Sequence, residues 1–272
     1  MNPIIRHDIF GLTNTPFLTD PKTPYLDESR QRHLANLTRF AQRRGFAAVA
    51  GRSGSGKTAL VRYFTESLHQ PSHKVVYLPF SNLSENDTLK ALCSRLDCEP
   101  PHGKNRIINA IQTRIRDLQP GNPVIVLDEM QNATSPVMDT IRLLANDNFD
   151  AANKTTFILI GTSEFFGKLR MAINESLRQR ITLFCNVREL DRMAVGEYLE
   201  HCLSDAGAEH QIFDPTAAQL IFDASGGSIR LVKQLAAGAM AAASDAQSAN
   251  VVVEHVDCAI DQCLLPLPEI DR

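Results

Sequence analysis

Residues 51–58 read GRSGSGKT, directly after the apolar stretch FAAVA at 46–50. Three glycines in six residues, then lysine and threonine, are not a packing pattern. The spacing fits G-x-x-x-x-G-K-[ST] at Gly51, Gly56, Lys57 and Thr58, between an expected strand and the expected helix KTALVRYFTESLHQ. In such a loop the backbone amides of Gly51, Arg52, Ser53, Gly54, Ser55 and Gly56 turn inward around phosphates. The helix start, Lys57 to Ala59, adds its positive end. Lys57 is expected at the β/γ-phosphates and the Thr58 hydroxyl on Mg2+. The expected ligands are therefore ATP and Mg2+.

Outward from this loop, strands and helices alternate. FAAVA, KVVYLPF, PVIVLDE, TTFILIG and ITLFCNV read as five continuously apolar strands, with helical patterns between them. Such strands are buried on both faces, which predicts an α/β fold: a five-stranded parallel sheet sandwiched by helices. After Val187 only helical patterns follow, predicting a small helical lid. The expected division is an N-terminal arm at 1–28, a nucleotide-binding domain at 29–188, and a lid with a C-terminal tail at 189–272. The Pro-, Thr- and Asp-rich stretch LTNTPFLTDPKTPYLD makes the arm read as extended.

A phosphate loop that hydrolyses needs acidic residues at a neighbouring strand end. VIVLDE supplies them about 70 residues after the lysine. Asp128 is expected to hold Mg2+, directly or through water, and Glu129 to orient and deprotonate the attacking water. TTFILIG ends at Thr162 and Ser163. Thr162 is the candidate sensor of the γ-phosphate, and an N-cap role for either residue is the alternative. Arg180, ending ESLRQR, is the candidate to reach a nucleotide on a neighbouring subunit, with Arg178 competing for that role. Arg230, in GGSIRLVKQL, is the candidate to close the lid onto the γ-phosphate of its own subunit.

Composition narrows the class. No apolar run reaches the length of about 18 residues that a membrane helix needs, and the start is not a secretory leader. A cytoplasmic location follows as the expectation. None of the six cysteines makes a CxxC pair; His255, Cys258 and Cys263 are the nearest approach to a metal set, and reduced thiols are the alternative. Residues 1–188 carry 24 Lys and Arg against 17 Asp and Glu, a net of +7, whereas residues 189–272 carry 4 against 14, a net of −10. A basic body suits a polyanion. Its basic residues cluster at Arg30, Arg32, Arg39, Arg43 and Arg44, and again at Lys104, Arg106, Arg114 and Arg116. A solvated helix face is the alternative reading of either cluster; no base-reading module accompanies them, so any contact with DNA is expected at the backbone, without sequence preference.

Phosphate loop, Asp-Glu strand, polar strand end, arginine before the fifth strand and arginine-bearing lid follow the order of AAA+ ATPases, and the chain resembles that family. FGLTNTPF, LDEMQNAT, LRQRITL and ASGGSIRLVKQLAAGAMAAA are similar to the ExeA-like branch, named for general secretion pathway protein A. That branch is close to transposition helpers of the MuB, TniB and TnsC type. The resemblance covers about residues 8–262. Two positions depart from the branch: its usual GIPR is Gly227-Ser228-Ile229-Arg230 here, and its frequent strand-end Gln is Thr162. The secretion protein continues into a transmembrane segment and a periplasmic domain, while this sequence stops at Arg272. The resemblance thus implies a transposition helper that assembles with ATP on DNA, as a homo-oligomeric ring or helical filament, and regulates a transposase. Loops between the second and third strands of such helpers line the pore, which singles out Lys104 and Arg106 for DNA. The alternatives are a soluble ExeA-like secretion or envelope-assembly ATPase, or a nucleotide-switched protein scaffold without DNA, docked through the acidic lid.

Overall fold

The structure, a computed structural model, describes residues 5–69, 72–81, 83–145 and 153–263. The chain divides into two compact units: residues 28–52 with 57–187, and residues 1–27 with 53–56 and 188–272.

The first unit is built on a parallel sheet ordered β2-β3-β4-β1-β5. Its strands are β1 (Gly45–Ala50), β2 (Val75–Pro79), β3 (Val124–Asp128), β4 (Thr156–Gly161) and β5 (Ile181–Asn186). The central strands β1, β3 and β4 are buried at every residue. That explains their uniform apolar runs, since both faces are covered by helices. Phe46 and Phe157 stack across β1 and β4 at 4.8 Å. Helices α2 (Glu28–Arg43), α3 (Lys57–Glu66), α4 (Glu85–Arg95), α5 (Lys104–Asp117), α6 (Ser135–Leu144), α7 (Ser163–Arg170) and α8 (Glu175–Arg180) complete the unit; the four-residue α1 (His7–Phe10) lies in the other. Ala50 is in register with Gly161, and Leu127 with Leu159. The ends of β1, β3 and β4 therefore fall at one edge of the sheet, where open α/β folds bind ligands.

The second unit packs α9 (Arg192–Asp205), α10 (Pro215–Ser225), α11 (Ile229–Asp245) and α12 (Val253–Cys263) around one core. Asp191 and Asp214 cap α9 and α10, accepting from Ala194 N at 2.9 Å and Thr216 N at 2.8 Å. Gly227 adopts φ 75°, and a Cβ there would lie 1.9 Å from the Leu190 carbonyl oxygen, so glycine is required at this crossing.

The N-terminal stretch differs from the separate extended arm that its composition implies. Phe10, Leu12 and Phe17 are buried in the helical core, with Phe17 edge-on to Phe213 at 6.1 Å. Polar contacts fasten the rest: Thr13 N donates to Ala206 O, Tyr25 Oη to Glu197 at 2.6 Å, and Lys233 Nζ to Asp20 at 2.8 Å. Its loop-forming residues are real turns, but three spaced apolar anchors between them carry it into a core. No 3.6- or 2-residue period marks those anchors in the sequence.

Among the described residues no helix is long and apolar enough to cross a membrane, and no cluster of metal-ligating side chains forms. The Cys263 side chain of the candidate metal set and the tail at 264–272 lie outside the described residues.

Candidate functional site

In the sheet unit, the chain after β1 turns at Gly51 and Arg52 and re-enters at Lys57, the first residue of α3. Lys57 is buried, and its ammonium donates to the Arg52 carbonyl at 2.8 Å. At the next position, the Thr58 hydroxyl donates to Asp128 Oδ2 at 2.8 Å. Asp128 ends β3 and is 3% exposed, while its Oδ1 accepts from Glu129 N at 2.7 Å. Sequence positions 58 and 128 thus meet as one hydroxyl and one carboxylate, the oxygen ligands that suit Mg2+.

Glu129 follows with a left-handed backbone, φ 57°, which turns the chain sharply off β3. Its carboxylate accepts from the Gln131 side-chain amide. At the end of β4, Thr162 stands at the N-cap position of α7, yet its hydroxyl makes no cap bond. That buried Oγ1 has no hydrogen-bond partner. An unsatisfied buried hydroxyl costs about 1–3 kcal/mol. Thr162 thus occupies the N-cap position without the side-chain bond that a capping threonine makes.

Ser53–Gly56, the tip of the loop, belong with the helical unit. Arg230 Nη1 donates there to Ser53 Oγ at 3.2 Å, and Arg230 N to Gly54 O at 3.4 Å. Gly54 has φ 80°, and a Cβ on it would stand 2.4 Å from Ser228 Oγ. The backbone favours glycine here, and any side chain would displace the Ser228 hydroxyl. Ser55 is fully buried, and Ala59 is the third residue of α3.

The arginines before β5 divide. Arg178 pairs with Glu175 at 3.4 Å, within its own helix, and Arg180 is the half-buried last residue of α8. The basic clusters divide too. Arg30 is buried, Arg32 pairs with Glu28 at 2.6 Å, and Arg44 donates to Pro120 O and Gly121 O, so much of the first cluster serves the fold. In the second, Lys104 pairs with Glu85 at 2.6 Å, and that ammonium, with the Thr140 hydroxyl, holds the Glu85 carboxyl below its usual range. Arg106 is exposed in the first turn of α5.

Two residues escape a reading of motifs. Tyr77 Oη on the edge strand β2 donates to Asp128 Oδ2 at 3.0 Å. Burial, then the Asp128 charge, pushes that hydroxyl up to about 12, so it stays a donor at neutral pH. Gln131 bonds both Glu129 and, through its oxygen, Thr162 N at 3.2 Å. Side-chain pairs between strands give no periodic signal, although Gln131 lies inside LDEMQNAT, one of the stretches that carry the family resemblance.

Comparison with known proteins bears on the fold. An AAA domain model matches residues 39–169. General secretion pathway protein A of Aeromonas hydrophila is 31% identical over 253 residues, covering 89% of this chain and 46% of that protein. The chain thus spans about half the length of this curated relative. Among solved structures, Cdc6p of Pyrobaculum aerophilum superposes with a TM-score of 0.75 at 17% identity, over 97% of this chain and 72% of that one. The Aeropyrum pernix ORC2 protein, solved as ADPNP-ADP complexes, gives 0.70 at 15% identity, over 90% and 69%. At such identities the structures establish the fold, which is the P-loop AAA+ fold. None of these relatives is a MuB, TniB or TnsC protein.

Proposed function

We propose that this chain, an AAA+ protein of the ExeA-like kind, binds and hydrolyses ATP with Mg2+ and, in its ATP form, assembles as a homo-oligomer on DNA to regulate a transposase. The observation that carries the ATPase reading is the strand-end cluster: Thr58 on Asp128 at 2.8 Å, Glu129 beside it, and the unsatisfied Thr162 hydroxyl. In this reading Lys57 and the amides of Gly51 to Gly56 hold the phosphates. Thr58 and Asp128 would hold Mg2+, which offsets phosphate charge when bound. Glu129 accepts a proton as water oxygen bonds to the γ-phosphorus and the bond to the ADP oxygen breaks. Thr162 donates to a γ-phosphate oxygen. Arg230 acts in its own subunit and Arg180 on a neighbour's nucleotide, each offsetting charge that develops in the transition state.

The DNA part is supported by the net charge of +7 over residues 1–188 and by exposed Arg106. The acidic region 189–272, net −10, suits a basic segment of the transposase. The cytoplasm, which holds both ATP and DNA, is the proposed location. The test is duplex binding by Glu129→Gln protein in ATP, ADP and no nucleotide. Tight, salt-sensitive binding of arbitrary duplex in ATP alone is expected, and Arg106→Ala should weaken it by a few-fold and lower the salt slope by about 1. Absence of binding in every state removes DNA as a direct partner. A second reading, a secretion or envelope-assembly ATPase, is favoured by the 31% identity to general secretion pathway protein A, and that outcome would leave it standing beside the DNA-free scaffold.

A further inference from the structure

The side chain of Gln131 joins two parts of the candidate site that come from different strands. Its Nε2 donates to Glu129 Oε2, after β3, and its Oε1 accepts from Thr162 N at 3.2 Å, after β4. These partners fix the amide's orientation, because a carboxylate can only accept from it and a backbone N–H can only donate. Few side chains can replace it. Glutamate would set a second negative charge against Glu129, lysine accepts nothing, and methionine fills the space with neither bond.

The turn that carries Gln131 is itself held on several sides. Met130 is fully buried, Asn132 Nδ2 donates to Phe80 O at 3.1 Å, and Lys168 Nζ donates to the carbonyls of Gln131 and Ala133. Such a base limits how far the amide can drift. The Thr162 N–H that it fixes belongs to the residue whose buried hydroxyl is unsatisfied.

We propose that Gln131 is a positioning residue: its amide fixes the Glu129 carboxylate and ties that carboxylate to the Thr162 end of β4. For turnover this rests on the ATPase reading above. A group that acts on water must be oriented within a fraction of an ångström, and misplacement by about 1 Å costs on the order of 100-fold. The bridge makes one element of the Thr162 strand end and the base beside it. A movement of Thr162 upon meeting a phosphate is then passed to Glu129 through two hydrogen bonds.

The experiment reads the backbone amide resonance of Thr162 in the full chain, labelled with 15N. Glu129→Ala should shift that resonance in the wild-type background and leave it unmoved in the Gln131→Met background. A shift of equal size in both backgrounds would overturn the bridge. In parallel, Gln131→Met and the isosteric Gln131→Glu should each lower kcat about 10- to 100-fold while the Kd for ATP stays within about twofold. Wild-type kcat in either variant would overturn the positioning role. A loss confined to ATP affinity would overturn it too. Should the wild-type chain hydrolyse no ATP, the ATPase reading fails, and the Thr162 resonance still decides the bridge.

Discussion

The sheet unit and the helical unit place their polar contacts differently: on buried strand ends in the first, at the surface in the second. At the strand ends of the sheet unit, the buried Asp128 carboxylate accepts from Thr58, Tyr77 and the Glu129 amide, and the Thr162 hydroxyl is left unsatisfied. In the helical unit the polar contacts fasten the N-terminal stretch: Lys22 N on Asp205, Tyr25 on Glu197, His201 on Thr23 O, Lys233 on Asp20. The first set gathers around one buried carboxylate with one hydroxyl left unmet; the second ties surface segments of the chain together. The difference teaches that polar density alone does not mark a site.

That contrast is broken most forcefully at Lys57. Lys57→Ala should raise the Kd for ATP about 100-fold or more, since a buried phosphate would lose its cation. Binding retained in the micromolar range by calorimetry contradicts the phosphate-loop assignment. The same substitution should leave the helical core untouched.

The reciprocal change is Phe17→Ala. Phe17 is 4% exposed and sustains a left-handed backbone, φ 66°, by burying its ring against Phe213. Its loss should cost about 3–5 kcal/mol of stability in denaturant unfolding, with ATP affinity retained in the protein that remains folded. A change below about 0.5 kcal/mol, the range of ordinary surface substitutions, would mean that the N-terminal stretch is no part of the core.

What the sequence discloses follows the same division. The phosphate loop and the buried strands are local patterns, because burial on both faces and a phosphate cradle each demand a residue type at every position. The strands at 45–50, 124–128 and 156–161 are therefore legible to within a residue. Phe10 and Phe17 are anchors in a core built by distant residues, Phe17 against Phe213, and loop chemistry between them hides that role. Gln131 lies within the recognisable LDEMQNAT, but its use depends on Thr162, which only the β3–β4 register brings within reach.

The effect expected at Arg180 depends on assembly. Arg180→Ala should leave ATP affinity within about twofold and lower hydrolysis by the assembled protein about 1,000-fold at most, the lower end of what a trans-acting arginine supplies. The loss should appear only at concentrations where the chain self-associates. Full-rate hydrolysis by monomers would assign charge stabilisation elsewhere.

The most direct measurement is ATP binding and turnover, with Mg2+ and duplex DNA present, for the wild-type chain beside Glu129→Gln. An ATPase site at the strand ends predicts comparable ATP affinity in both, with turnover in the wild type alone. Equal turnover in the two proteins, or no ATP binding by either, would contradict it.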